Sequence, residues 1–188
     1  MNKQRRLLVV SGPSGAGKDT VIACLMQKHP EISLSISATT RKPRVGEADG
    51  VNYFFLTQEK FEDKISHGEM LEYANYCGNY YGTPKSEVDS RIDNDKTVVL
   101  VIEVQGAANI KKQYPECTTI FISPPSTDEL VNRLRGRGTE SDDVIEGRLT
   151  RAREEMALAE NYDYRVINDK IEDCADDIYN ILKERQCN

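Results

Sequence analysis

The apolar run Leu7-Leu8-Val9-Val10 leads directly into Ser11-Gly12-Pro13-Ser14-Gly15-Ala16-Gly17-Lys18-Asp19-Thr20, and no other stretch constrains the fold as strongly. Gly12, Gly15 and Gly17 admit backbone dihedrals that residues with a Cβ avoid, so successive N–H groups can turn inward around an anion. A helix beginning near Gly17 adds its positive N-terminal end, and Lys18 adds a full charge for β and γ phosphates. The spacing G-x-x-x-x-G-K is complete at Gly12, Gly17 and Lys18, between a strand and a helix as such a cradle requires. A glycine-rich turn without phosphate chemistry would need neither the lysine nor the flanking elements. The next position, commonly Ser or Thr for Mg2+, is Asp19. The stretch implies that residues Gly12, Pro13, Ser14, Gly15, Ala16, Gly17, Lys18, Asp19 and Thr20 bind a nucleoside triphosphate.

Beyond the cradle, a helix is expected from Gly17 to His29, stopping before Pro30. A strand at Ile32 to Ser37 and a long polar loop from Thr39 to Val51 follow; loops of that length in a small domain are commonly functional. Short strands are expected at Asn52 to Leu56 and Met70 to Tyr76, with a helix at Gln58 to Ser66 between them. Gly78-Asn79 marks a hairpin turn, and Thr83-Pro84 reads as an N-cap with proline at N1 of another helix. Val98 to Val104, apolar on both faces, is the pattern of a buried parallel strand. A strand at Ile120 to Ile122 precedes the capping box Ser126-x-x-Glu129. Ile145, Leu149, Ala152, Met156 and Ala159 form one helical stripe. Arg165 to Asn168 reads as the last strand, and Ile171, Ala175, Ile178 and Leu182 as the last amphipathic helix. The alternation predicts an α/β fold: a parallel sheet of the P-loop NTPase type with helices on both faces. The segment from Ser37 to Arg91 interrupts it, as an inserted lobe would.

At 188 residues the chain suits one domain. Its net charge of −6 argues against bulk nucleic-acid or anionic-membrane binding, so an anionic ligand needs a local basic cluster. The longest apolar run, Val98 to Ile102, is far too short for a bilayer, and the basic N-terminus precedes too short an apolar run for a signal peptide. Cys24, Cys77, Cys117, Cys174 and Cys187 are an odd, scattered set that reads as reduced thiols. A cytoplasmic protein is expected, with monomer and homodimer both open.

Arg41 and Arg44 bracket Pro43, and an arginine fork suits phosphate oxygens. Tyr53, Tyr80 and Tyr81 offer phenolic donors and flat faces. Taken alone, these arginines read equally well as solvated loop charges and the tyrosines as packing. Ser37-Ala-Thr-Thr-Arg41-x-Pro-Arg44-x-Gly46-Glu47, Asp49-Gly50-x-x-Tyr53-x-Phe55, Glu72-Tyr73, Gly78-Asn79-Tyr80-Tyr81-Gly82-Thr83, Val104-Gln105-Gly106 and Arg133-Leu-x-x-Arg137-Gly-x-Glu140 occur in one order along the chain. Together they resemble guanylate kinase, and the likeness runs from Val10 to Asn168.

The resemblance implies an ATP:GMP phosphotransferase using Mg2+, with GMP, and dGMP beside it, as acceptor. It implies a core of residues 1–36, 92–125 and 160–188, a GMP-binding lobe at 37–91 and a mobile lid at 126–159. Arg41, Arg44, Tyr53 and Tyr81 would hold the phosphate of GMP, and Ser37, Glu72 and Thr83 would read its base, with Glu103 and Arg148 also in that site. Arg133, Arg137 and Asn168 would complete the ATP side, and Lys18, Arg137 and Arg148 would act on the migrating phosphoryl group. Guanine presents an N1–H beside a 2-amino group, a two-donor edge that a carboxylate at Glu72 can accept. Adenine would leave that carboxylate unmatched, which discriminates strongly. Arg135, Arg151 and Arg153 read better as exposed helix charge.

Two positions depart from the family's pattern. Asp19 stands where a hydroxyl residue ligates Mg2+; a carboxylate is also a hard oxygen ligand. Val101 stands where an acidic residue is common, leaving Glu103 as the main carboxylate there, a candidate for the GMP or Mg2+ shell. Two other readings remain: a ribose bisphosphate phosphokinase, whose cradle is similar, and a non-catalytic interaction domain of the same fold. The first would not need the set of Arg41, Arg44, Tyr53, Glu72 and Tyr81; the second characteristically lacks the cradle.

Overall fold

Leu7–Ser11 forms strand β1, and all five of its side chains are buried. An unbroken apolar run does this where helices cover both faces of a sheet. The computed structural model describes residues 3–76, 78–135 and 142–187; Arg137 and Glu140, expected in a lid, fall outside them. β1 is the middle strand of a five-stranded, fully parallel sheet whose other members are β2 (Ile32–Leu34), β7 (Thr97–Val101), β8 (Thr118–Ser123) and β9 (Tyr164–Ile167), in the order β2-β7-β1-β8-β9. After β1 the chain leaves toward β2, and after β7 it crosses to β8 on the other side. That reversal opens a crevice at the carboxyl ends of the strands, where the cradle lies.

Neighbouring residues of β1 serve opposite cores. Leu8 and Val10 pack with Val21, Ile22 and Leu25 of α1 (Lys18–Lys28) and with Ala175, Ile178 and Leu182 of α7 (Ile171–Cys187). Leu7 and Val9 pack with Val88 and Ile92 of α3 (Lys85–Asp93) and with Ala107 and Ile110 of α4 (Val104–Gln113).

A second sheet, of order β4-β3-β6-β5, is built from β3 (Ala38–Thr39), β4 (Phe54–Phe55), β5 (Met70–Tyr76) and β6 (Asn79–Pro84). Its own small core centres on Phe61 of α2 (Gln58–Ser66), fully buried against Ala38 and Met70. In a further small cluster, α5 (Thr127–Arg135) packs Leu130 and Leu134 against Ala152 of α6 (Asp142–Ala157).

Several expectations need correction. The strand expected over Val98 to Val104 ends at Val101, because Glu103 is the N-cap of α4. Sequence reasoning places no helix at α4. Thr83 does not cap a helix: β6 stays paired through Pro84, which is itself the N-cap of α3. The loop expected from Thr39 begins later, since Ala38–Thr39 pairs with both β4 and β6.

Candidate active site

Gly17 caps α1 at φ 84 and ψ 20, in the left-handed region. A Cβ there would run into Asn168 Nδ2, so backbone and neighbour both demand glycine. Asn168, buried just past β9, donates that Nδ2 to Ala16 O at 2.8 Å and ties the cradle to the last strand. Its Oδ1 has no hydrogen-bond partner among the described residues. Lys18 Nζ donates to Gly12 O at 2.5 Å and to Pro13 O at 3.1 Å, so the cradle's own carbonyls hold the lysine. A cleft of about 320 Å³ opens beside Gly15, Gly17, Thr20, Arg133 and Asn168. Arg133 is steadied there by Glu129 at 2.8 Å and donates to Asn168 O at 3.0 Å.

On the other side of Lys18 lies a cavity of about 300 Å³ between the two sheets. Lys18 and Asp19 line it from the cradle, and Ser37, Tyr53, Glu72 and Tyr81 from the second sheet and its loops. Val101 and Glu103 line it from the end of β7, so the position that departs from the family pattern is an apolar part of the wall. Asp19 and Thr20 thus open onto different spaces.

Glu72 is only 8 % exposed. The Thr83 hydroxyl donates to its Oε1 at 2.8 Å, from the residue paired with it across β5 and β6. Burial raises the Glu72 carboxyl above the ordinary glutamate range; hydrogen bonds from Thr83 oppose that, and the charge of Glu103 adds to it. Gly106 makes the space, because a Cβ there would stand 2.7 Å from Glu72 Oε2.

Arg41 sits in the loop after β3. Its two terminal nitrogens donate to the two oxygens of Glu47 at 2.7 Å each, and its Cζ lies 5.0 Å from the Tyr53 ring centroid. Glu47 also accepts the Arg44 backbone N–H at 2.7 Å. Hydrogen bonds from Arg41 and then Arg44 hold the Glu47 carboxyl down at about 2. The Arg44 side chain is exposed. Tyr53 and Tyr81 rings meet edge-on at 6.2 Å. Tyr80 instead stacks on Phe61 at 5.2 Å, so it is a packing residue.

Arg148 is half-buried on α6. Arg151, read from sequence as exposed helix charge, is exposed on α6 as expected, and it also bridges Glu103 of the cavity wall at 2.9 Å and Glu155 at 3.0 Å. Sequence reasoning missed Glu155 altogether. Its position three after Ala152 and four before Ala159, on the apolar stripe of α6, was the available signal.

A cradle at the switch point of a parallel sheet, with a second polar cavity facing its lysine, defines a phosphotransferase of the P-loop kinase class. The family model described as "Guanylate kinase" matches residues 4–185. The chain is 49% identical over 179 residues to the guanylate kinase of Gloeobacter violaceus, covering 95% of this chain and 87% of that one. It is 49% identical over 184 residues to the guanylate kinase of Clostridioides difficile, covering 98% and 90%. The crystal structure of guanylate kinase from Anaplasma phagocytophilum superposes with a TM-score of 0.76 at 36% identity, over 97% of this chain and 86% of that one. The chain belongs to the guanylate kinase family.

Proposed function

We propose that ATP binds through the cradle and GMP in the cavity between the sheets, and that the γ-phosphoryl group passes between them to give ADP and GDP. One observation carries this reading. Lys18 and the buried Glu72, which Thr83 holds from behind through its hydroxyl, open onto the same cavity, so a single space offers a phosphate-handling cation and a carboxylate able to read a two-donor base edge.

A nucleotide phosphate is already an ionised nucleophile near neutral pH, so the site needs alignment and charge stabilisation more than a strong base. Lys18 exchanges the carbonyls of Gly12 and Pro13 for phosphate oxygens. Arg41, preset by Glu47 beside Tyr53, serves the GMP phosphate together with Arg44 and Tyr81. Ser37, Glu72 and Thr83 read the base, with Glu103 completing the wall. Asn168 and Arg133 border the cleft proposed for the adenosine side. Arg137 and Arg148 belong to the region proposed as a lid, residues 126–159, whose closure would exclude water from ATP.

Mg2+ fits this chain as an ion carried in on the triphosphate. No group of three His, Cys, Asp or Glu side chains suitable for a metal occurs among the described residues. Magnesium, however, keeps phosphate oxygens and waters as most of its ligands and needs only one or two carboxylates. Asp19, exposed beside Lys18, would hold it directly or through water. When bound, the ion offsets charge between the phosphates.

No helix among the described residues is long and apolar enough to cross a membrane. We place the reaction in the cytoplasm, in purine nucleotide metabolism and the recycling of GMP. Cys117 and Cys174 are free thiols there, raised by burial to about 11 and about 12, and they act as packing groups. A ribose bisphosphate acceptor would have no use for a buried carboxylate at Glu72. The test is ADP release with ATP, Mg2+ and a panel of GMP, dGMP, AMP and ribose bisphosphate. GMP preferred over AMP and over the sugar supports the assignment, and equal rates with AMP overturn it.

A further inference from the structure

Arg151 reaches two carboxylates at once. Its Nε donates to Glu155 Oε1 at 3.0 Å, one turn further along α6, and its Nη2 donates to Glu103 Oε2 at 2.9 Å on another element. Glu155 is 7 % exposed on α6, three residues after the buried Ala152 and four after Arg151. A carboxylate buried there is costly without a cation beside it. Arg151 supplies that cation, and the same contact holds the stem of the arginine while the rest of its fork points at Glu103.

Glu103 differs from Glu72 in how it is held. Glu72 is enclosed and bonded to Thr83, whereas the Glu103 side chain is 58% exposed and its only hydrogen bond among the described residues is the one from Arg151. Both line the same cavity, where like charges repel. Left alone, a long side chain at the rim turns to solvent. The guanidinium offsets the repulsion and keeps Glu103 over the cavity.

We propose that Arg151 is a positioning residue for base recognition: it holds Glu103 so that Glu103 and Glu72 together meet the N1–H and 2-amino group of guanine, and Glu155 anchors it. This rests on the cavity being the GMP site. The contact also joins the helix that bears Arg148 to the wall of that cavity.

The test measures kcat and KM for GMP, IMP and ATP in the parent enzyme, in Arg151→Met, in Glu103→Gln and in the double variant. IMP lacks the 2-amino group, so the GMP-to-IMP ratio of kcat/KM reports the second carboxylate. Arg151→Met is expected to raise KM for GMP and to lower that ratio, each about tenfold, the size of one lost charge-assisted hydrogen bond. KM for ATP is expected to change less than about twofold. In the Glu103→Gln background the further loss is expected to be small, because the effect passes through Glu103. An unchanged GMP-to-IMP ratio in Arg151→Met, or losses that simply multiply in the double variant, overturn the proposal. Should Arg151→Met fail to fold with Glu155 buried and unpaired, Arg151→Met/Glu155→Met removes both charges and enters the same cycle. A parent enzyme with no preference for GMP would sink the site itself, whereas a preference kept intact by Arg151→Met sinks only the role of Arg151.

Discussion

Thr83 donates its hydroxyl hydrogen to Glu72 Oε1 at 2.8 Å, and the two residues are register partners on β6 and β5. The carboxylate proposed to read the base is therefore aimed by sheet pairing. Thr83→Val keeps the shape and removes the donor. A neutral-to-charged hydrogen bond contributes about 1.5–3 kcal/mol, so KM for GMP is expected to rise about tenfold or more. KM for ATP is expected to hold. An acceptor titration at saturating ATP checks this, and an unchanged KM for GMP would show that the hydroxyl does not aim Glu72.

Burial sets the pH behaviour of Glu72. Its carboxyl is raised above the ordinary 4.5, and it must be ionised to accept from guanine. As pH falls, GMP affinity is expected to fail earlier than an ordinary glutamate would allow, and to recover above the raised value. The GMP phosphate adds its own ionisation near ~6, so the contribution of Glu72 is the difference between the parent profile and that of Glu72→Gln. Stability follows the opposite sense. The folded state binds the proton more tightly, so stability falls as pH rises from the unfolded value to the folded one and stays at the lower level above it. Glu72→Gln is thus expected to melt slightly higher than the parent at pH 7 while losing selectivity for GMP over AMP. Melting curves at pH 4 and pH 7, with acceptor assays alongside, check both halves.

Lys18 contacts the carbonyls of Gly12 and Pro13 within the cradle, so its removal is expected to spare the fold. In the proposed reaction it carries a charge for the migrating group. Lys18→Ala is expected to lower kcat by about 10³ or more, the scale seen when a preorganised charge stabiliser is deleted. Circular dichroism and melting temperature are expected to stay close to the parent. Appreciable turnover in a folded Lys18→Ala protein would remove the lysine from the mechanism.

The cradle was legible because its spacing and its flanking strand and helix are dictated by local backbone chemistry. The core of the main sheet was legible for a similar reason: a strand covered on both faces reads as a nearly continuous apolar run, as Leu7 to Val10 does in β1. The helix Val104–Gln113 was not, because Gly106, Ala107 and Ala108 draw no large apolar stripe, and only small side chains fit beneath Glu72. Thr83-Pro84 misled because a cap and a strand end share residue types; pairing with β5 decided between them. Glu72 was legible through the family likeness alone. An irregularity in pairing between Met70 and Glu72 breaks the in-out alternation, so Met70, Leu71 and Glu72 are all buried. Arg151 was rightly read as exposed, but its partner Glu103 was not legible, because it lies 48 residues away, a distance that helix-face reasoning does not span.

Gly106 offers a test in which stability and function separate. It lies in the first turn of α4, where alanine would ordinarily favour the helix, by up to about 1 kcal/mol over glycine. A Cβ there would stand 2.7 Å from Glu72 Oε2, close enough that something has to move. The helix backbone is held by its packing on β5 and the main sheet, so the carboxylate is the group that yields. Gly106→Ala is therefore expected to keep a melting temperature near that of the parent while raising KM for GMP about tenfold, as expected when a site is displaced on the order of 1 Å. Because the substitution does not touch the cradle, ATP binding measured without acceptor is expected to be unchanged. A parent-like KM for GMP in this variant would mean that Glu72 can shift without cost and is not held where the base requires it.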